Sequence, residues 1–428
     1  MKNLGVRASI TLALAMLTGA WALLVPTALA EGNLAAKCSA STVEMSPDDR
    51  IAACTAMIQT EPPALQRMWA HFRRADVYLK TGNFERAVAD YDQVVKQFPD
   101  NVPAHMARAY AHWKLGNLAS LRADYEEVIR RQPQNAAGYI GLGGVDVIDG
   151  NLDAAVADYT KALAIHSDNL VALVGRSGIY ARAGNFDRAL ADCDRIAHVA
   201  PEKGNGDICR GSIHRYKGDI QLALADYGRV LNVDEKRVEA HVGLGLAYLQ
   251  DGDHERASAS LDQAIGLAPK AAHLYLWRAI ARVEQNRLTD AIGELSRSVE
   301  LDPNDVYPKL WREFVRRRNG ESGQLADDAK QLDMAKWPAP IVKFYLGDMT
   351  LQALRAAADD PNVVKRKGQV CEANFYAAEL ALANGKKDDA AELLRSSADD
   401  CPRSFIEWPA AVAELRARRS KAMIAERT

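Results

Sequence analysis

Six cysteines, nine histidines and a scatter of carboxylates are the side chains of this 428-residue chain that could do chemistry. No Cys-x-x-Cys occurs, so neither a zinc knuckle nor a thioredoxin-like dithiol is expected. His71, His105 and His241 recur at one register, and His105 and His112 lie two helical turns apart. Without a His-Glu-x-x-His spacing these read as packing or surface histidines, not metal ligands. There is no P-loop and no Gly-x-Ser-x-Gly. Gly141-Leu-Gly-Gly144 is glycine-rich but falls mid-helix, where close helix packing accounts for it. The expectation is a non-enzyme with no catalytic residue, no cofactor and no metal. The cysteines are then left for disulfides, with fifteen possible pairings.

Disulfides need an oxidising compartment, and the N-terminus offers a route to one. Lys2 and Arg7 precede an almost uncharged run from Ala8 to Leu24, then the small residues Ala28-Leu29-Ala30. This is the pattern of a secretory signal peptide over 1–30, cut before Glu31. No later window is apolar enough to span a bilayer, and no lipidation cysteine follows the apolar run. With 54 basic and 56 acidic residues the net charge is -2, which excludes a bulk pull toward nucleic acid. The composition, 48% hydrophobic and 26% charged, excludes collagen-like, low-complexity and polytopic membrane chains. The expected product is soluble, not lipidated, and periplasmic.

The elements that position these residues come from a repeat. A turn mark recurs every 34 residues at Gly82, Gly116, Gly150, Gly184, Gly218 and Gly252, and next falls on Asn286. Seven residues before each mark stands a small residue (Ala75, Ala109, Gly143, Ser177, Gly211, Gly245, Ala279). Five after is mostly alanine, and nine after is Tyr91, Tyr125, Tyr159, Cys193, Tyr227, Leu261 or Leu295. A small residue lets a second helix approach; glycine turns the chain; alanine and tyrosine four apart share one buried face. A two-helix unit cannot bury its apolar faces alone, so units stack. The pattern resembles the tetratricopeptide repeat (TPR) family over seven units, 68–305. The resemblance implies an all-α, right-handed solenoid of helix-turn-helix units that binds proteins.

Residues 31–67 read as an N-terminal helical cap, with Ser46-Pro47-Asp48-Asp49 starting a helix over about 46–60. Residues 306–370 read as degenerate repeats, with Phe344-Tyr345-Leu346-Gly347 opening a helix pair. Residues 371–404 read as a further unit with Cys371 opening its first helix, and 405–428 as a capping helix of about 405–420 with a basic tail. Trp337, Ile341, Val342, Phe344-Tyr345-Leu346-Gly347, Glu372, Asn374-Phe375-Tyr376, Phe405, Glu407 and Ala413-Glu414-Leu415 resemble a motif of the NlpI-type lipoproteins. That second resemblance implies an envelope adaptor that brings cell-wall hydrolases to a protease.

The repeat narrows the cysteine pairings to three local ones. Cys371 and Cys401 sit at neighbouring ends of one helical hairpin. Cys193 and Cys209 lie on helices that pack side by side, and Cys38 and Cys54 share the cap. A buried free Cys193 in the tyrosine's place is the alternative.

Partner binding is expected on the concave face lined by first helices. Its candidate residues are Trp69, Asp76, Lys80, Tyr110, Trp113, Lys114, Arg182, Arg215 and Tyr216. Aromatics beside lysines suit an extended or helical peptide with acidic groups. The Lys/Asn clamp of chaperone-binding TPRs is absent, because position 5 is apolar throughout, as at Phe72, Met106 and Ile140. The partners expected are envelope proteins or peptides, with a homodimer left open. A structural subunit of an export assembly, or a peptidoglycan-binding protein using Trp113, are the rival readings.

Overall fold

The computed structural model describes residues 32–40, 45–403 and 405–425; the expected signal peptide lies outside the described residues. These form 23 α-helices and a short 3₁₀ turn, with no strand among the described residues. The chain divides into two compact units at Ile179 and Tyr180.

In the first unit α1 (Gly32–Ser39) and α2 (Pro47–Gln59) form a hairpin closed by the Cys38–Cys54 disulfide. Ser46 caps α2, its hydroxyl accepting from Asp49 N at 3.2 Å. Three helix pairs follow: α3 (Ala64–Lys80) with α4 (Phe84–Gln97), α5 (Val102–Lys114) with α6 (Leu118–Arg131), and α7 (Ala136–Asp149) with α8 (Leu152–Ile165). Helix α9 (Leu170–Arg182) carries the chain to the second unit.

The second unit begins with α10 (Phe186–Val199), then pairs α11 (Asn205–Lys217) with α12 (Ile220–Val233). It goes on with α13 (Val238–Asp251) and α14 (His254–Leu267), then α15 (Ala272–Glu284) and α16 (Leu288–Leu301). Helix α17 (Tyr307–Arg318) is followed by three short helices, α18 (Leu325–Ala329), α19 (Ala339–Leu346) and α20 (Leu351–Ala357). The chain closes with α21 (Val363–Ala383), α22 (Lys387–Asp400) and α23 (Glu407–Ala425). Cys193–Cys209 and Cys371–Cys401 are both bonded, so all three local pairs are present.

Each turn mark lies at or just past the end of a first helix: Gly150, Gly218 and Gly252 are its C-cap, and Gly82, Gly116 and Asn286 follow the C-cap directly. Gly82 has φ 79°, and the N–H of Asn83 reaches back to Tyr78 O at 2.8 Å, which satisfies a carbonyl the helix end leaves open. Where glycine gives way to Asn286 the residue still takes φ 59°, and Arg287 N still reaches Arg282 O at 2.8 Å. Asparagine is the side chain that tolerates this region best.

The tyrosines set the stacking. Tyr125 is fully buried, and a Cβ added at Gly141 of the next pair would sit 2.3 Å from its ring. Tyr227 lies between Gly211 of its own pair and Gly243 of the next, where added Cβ atoms would come within 2.9 and 2.3 Å. Gly141 and Gly143 of the Gly141-Leu-Gly-Gly144 run are thus seats for the Tyr125 and Tyr159 rings.

Two boundaries differ from expectation. Helix α21 starts at Val363, so Cys371 lies within it and does not open it; Asn362 caps that earlier start by accepting from Val364 N at 3.0 Å. Phe344-Tyr345-Leu346 closes α19 instead of opening a helix pair, because Gly347 takes φ 85° and ends it.

Candidate functional site

In the first unit three candidate residues come together. Tyr110, Trp113 and Lys114 occupy positions i, i+3 and i+4 at the end of α5, which puts them on one helix face. The Tyr110 and Trp113 rings are 5.5 Å apart, and the Lys114 ammonium stands 4.6 Å from the Trp113 ring and 5.4 Å from the Tyr110 ring. Both rings are half-buried and Lys114 is exposed. Trp113 rests its inner edge on the cluster of Met106, Leu121 and Tyr125. The outcome is a rigid aromatic ledge with a cation held over it.

Of the other first-unit candidates, Trp69 and Asp76 are committed elsewhere. Trp69 packs on the cap disulfide beside Ala53 and Leu34, under the Arg73 guanidinium at 5.6 Å. Asp76 accepts the Tyr91 hydroxyl at 2.7 Å. Burial raises the Asp76 carboxyl above its ordinary range, against the pull of Tyr91, Arg73 and Lys80. Lys80 is exposed at the end of α3.

In the second unit Arg182 is exposed, but Arg215 is not an open surface cation: it is only 6% exposed. Its guanidinium lies 4.9 Å over the Tyr216 ring and beside the buried Tyr227 phenol, so its charge is used between helices. Gln250, on the next first helix, is buried and donates to Arg403 O at 2.9 Å. The chain's own C-terminal segment therefore reaches the face that was expected to be open.

No group of three or more His, Cys, Asp or Glu gathers as metal ligands among the described residues. No described helix is long and apolar enough to cross a membrane.

A tetratricopeptide repeat family model matches residues 72–136, 122–170, 147–206 and 248–306, and a second TPR model matches 211–252. Together they cover more than half of the chain. The chain is a tetratricopeptide repeat protein.

Among solved structures, a TPR protein from Parabacteroides merdae ATCC 43184 is 18% identical over 73% of this chain and 98% of its own, with a TM-score of 0.40. A chain of the APC/C hetero-tetramer Cut9–Hcn1 is 17% identical over 67% of this chain and 56% of its own, with a TM-score of 0.44. YrrB, a TPR protein with an unusual peptide-binding site, is 18% identical over 43% of this chain and 95% of its own, with a TM-score of 0.28. No curated protein matches the chain.

Two sets of TPR residues escaped the sequence reading. The first is an acid at one register of the second helix, buried as Asp90, Asp124, Asp158, Asp192 and Asp226. Arg74 and Arg108 each clamp the acid sixteen residues on, and Arg108 also reaches back to Asp92 at 2.7 Å. The second is the donor at the histidine register. His105 Nε2 meets Pro99 O at 3.0 Å, His241 Nε2 meets Glu235 O at 2.8 Å, Tyr275 OH donates to Pro269 O at 3.0 Å, and Lys309 Nζ to Pro303 O at 2.6 Å. The signal was the recurrence of both sets at the repeat period, across residue types that look unrelated.

Proposed function

We propose that this protein is an exported scaffold that binds a protein or peptide through the Tyr110–Trp113–Lys114 ledge. The ledge carries the reading: two half-buried rings give contact area at little entropic cost, and the lysine steers an acidic group. Three disulfides in the chain support an oxidising compartment, and the signal-like N-terminus supports export to the periplasm. The resemblance of 337–415 to NlpI-type lipoproteins supports an adaptor role in the cell envelope, presenting cell-wall hydrolases to a protease.

The test is an affinity pull-down from periplasmic extract, read by mass spectrometry. The baits are the native chain and a Tyr110→Ala/Trp113→Ala/Lys114→Ala variant. The native chain is expected to retain a protease or hydrolase that the variant loses. Identical recoveries from both baits would remove the ledge from the binding surface.

A further inference from the structure

One helix pair beyond the ledge, the first unit holds a cavity of about 590 Å³ between the loop 132–135 and the loop 166–169. Its floor is Ala136, Ala137, Ile140 and Val171. In other pairs a donor at the histidine register ties the loop to the first helix: His105, His241, Tyr275 and Lys309 each reach a carbonyl six residues back. In α7 this register is Tyr139, whose ring turns to the Lys161 ammonium at 5.4 Å, and in α9 it is Leu173, whose side chain donates nothing. The cavity opens between the two loops that lack the tie.

Its lining carries no lysine, arginine, aspartate or glutamate. An apolar floor under an uncharged rim suits an aliphatic side chain of a peptide, with the Gln134 and Asn169 amides placed to meet the peptide backbone. The apolar surface continues along α9, where Val174 is 46% exposed and an added Cβ at Gly178 meets nothing within 4 Å. Gly144 and Gly178 stand at the register of Tyr110, so the surface steps down from the ledge to glycine in both following first helices.

At the ledge Lys114 is exposed and forms no ion pair with a described residue, which leaves its charge for a partner's carboxylate. The ledge also departs from the repeat. Tyr91 and Tyr227 place their hydroxyls on Asp76 and Ser212, each fifteen residues back. Fifteen back from Tyr125 is Tyr110, and the Tyr125 hydroxyl is buried without a partner. Such a local departure from a fold's own rules is expected where function constrains a residue.

The two places are spaced for one chain. Ile140 lies one pair on from the ledge and eight residues before the Lys114 register of its own helix, which is Ile148. That is about 12 Å along the helix and about 10 Å across, about 16 Å in all. An extended peptide covers this in about five residues.

We propose that the partner is an extended peptide that seats an aliphatic side chain in this cavity and sets a carboxylate on Lys114 about five residues away. This rests on the ledge as a partner-binding surface and adds a second contact, a spacing and a peptide chemistry to it.

The test pans a random peptide library on phage against the native chain. Selected peptides should carry Leu, Ile, Val or Met about five positions from Asp or Glu. Lys114→Glu should select Lys or Arg in place of the acid and keep the aliphatic residue. Val171→Asp, and Ala137→Gln, which fills the cavity from a half-buried wall, should keep the acid and lose the aliphatic preference. Each should bind a native-selected peptide about tenfold more weakly by anisotropy. Thermal melts matching the native chain separate lost selection from misfolding. Acidic peptides whose selection Lys114→Glu leaves unchanged would overturn the ledge reading itself. A charge preference that follows residue 114 with no aliphatic residue at a fixed spacing overturns the cavity proposal and leaves the ledge standing. So does an aliphatic preference that both cavity variants retain. Failure to select any peptide overturns both.

Discussion

At the scale of single residues the buried acids are the least expendable polar groups. Asp90 receives Arg74 at 2.7 Å on each oxygen and meets His71 Nδ1 at 2.8 Å. Burial alone would raise its carboxyl; the Arg74 and His71 hydrogen bonds outweigh that and hold it below the ordinary range. Its stabilising contribution is therefore complete above the unfolded value of about 3.9 and is lost as pH falls through the lower folded value. Arg74→Ala should cost about 3 kcal/mol at pH 7, because it strands a buried carboxylate. Urea titrations repeated at pH 3 should show the gap between native and variant closing. Asp158 is the informative exception. At the arginine register its pair carries Leu142, and the groups that approach are Lys161, at 3.4 Å, and the Asp146 carboxyl. Burial, the largest cause, raises the Asp158 carboxyl, so folding disfavours its charged form. Asp158→Asn should thus stay within about 1 kcal/mol of the native stability at pH 7, where Asp90→Asn loses more. Chemical denaturation of the two variants side by side checks this.

At the scale of helix pairs the glycines divide into two kinds that the sequence alone does not separate. Gly141 faces the Tyr125 ring at a distance no Cβ can occupy, whereas an added Cβ at Gly228 of α12 meets nothing within 4 Å. Gly228→Ala should stabilise by about 0.5–1 kcal/mol through helix propensity. Gly141→Ala should destabilise by about 1–3 kcal/mol through overpacking, despite the same gain in propensity. Thermal melts of both variants decide it. The helix pairs themselves were legible because the turn glycines, alanines and tyrosines recur at fixed offsets, each with its own physical reason. The pairing of ring with glycine was not, because Tyr125 and Gly141 belong to different pairs and their contact depends on how pairs stack. The start of α21 was misread for a related reason. The repeat offset pointed to Cys371, but Asn362 supplies a cap nine residues before the expected start, and the helix runs on through it.

At the scale of the whole molecule the candidate site was legible only where it is local. Tyr110, Trp113 and Lys114 sit within one helical turn, so their spacing alone brings them together. Arg215 was misplaced because its burial beside Tyr227 depends on how neighbouring helices stack, and the sequence does not say that Arg403 returns to Gln250, some 150 positions upstream. The disulfides follow the same rule, since each closes a short loop and two of the three span 16 residues. In a stacked repeat protein each pair touches mainly its neighbours, so a lost cross-link should be felt locally. Cys38–Cys54 ties α1 to α2, and α5 through α8 contain no cysteine. Cys38→Ser/Cys54→Ser should weaken the cap by about 3 kcal/mol, the loop entropy the bond removes from the unfolded chain. Hydrogen exchange should then show α1 and α2 losing protection while α5 to α8 keep theirs. Loss spread evenly over the first unit would instead mean that the cap and its repeats fold as one cooperative block.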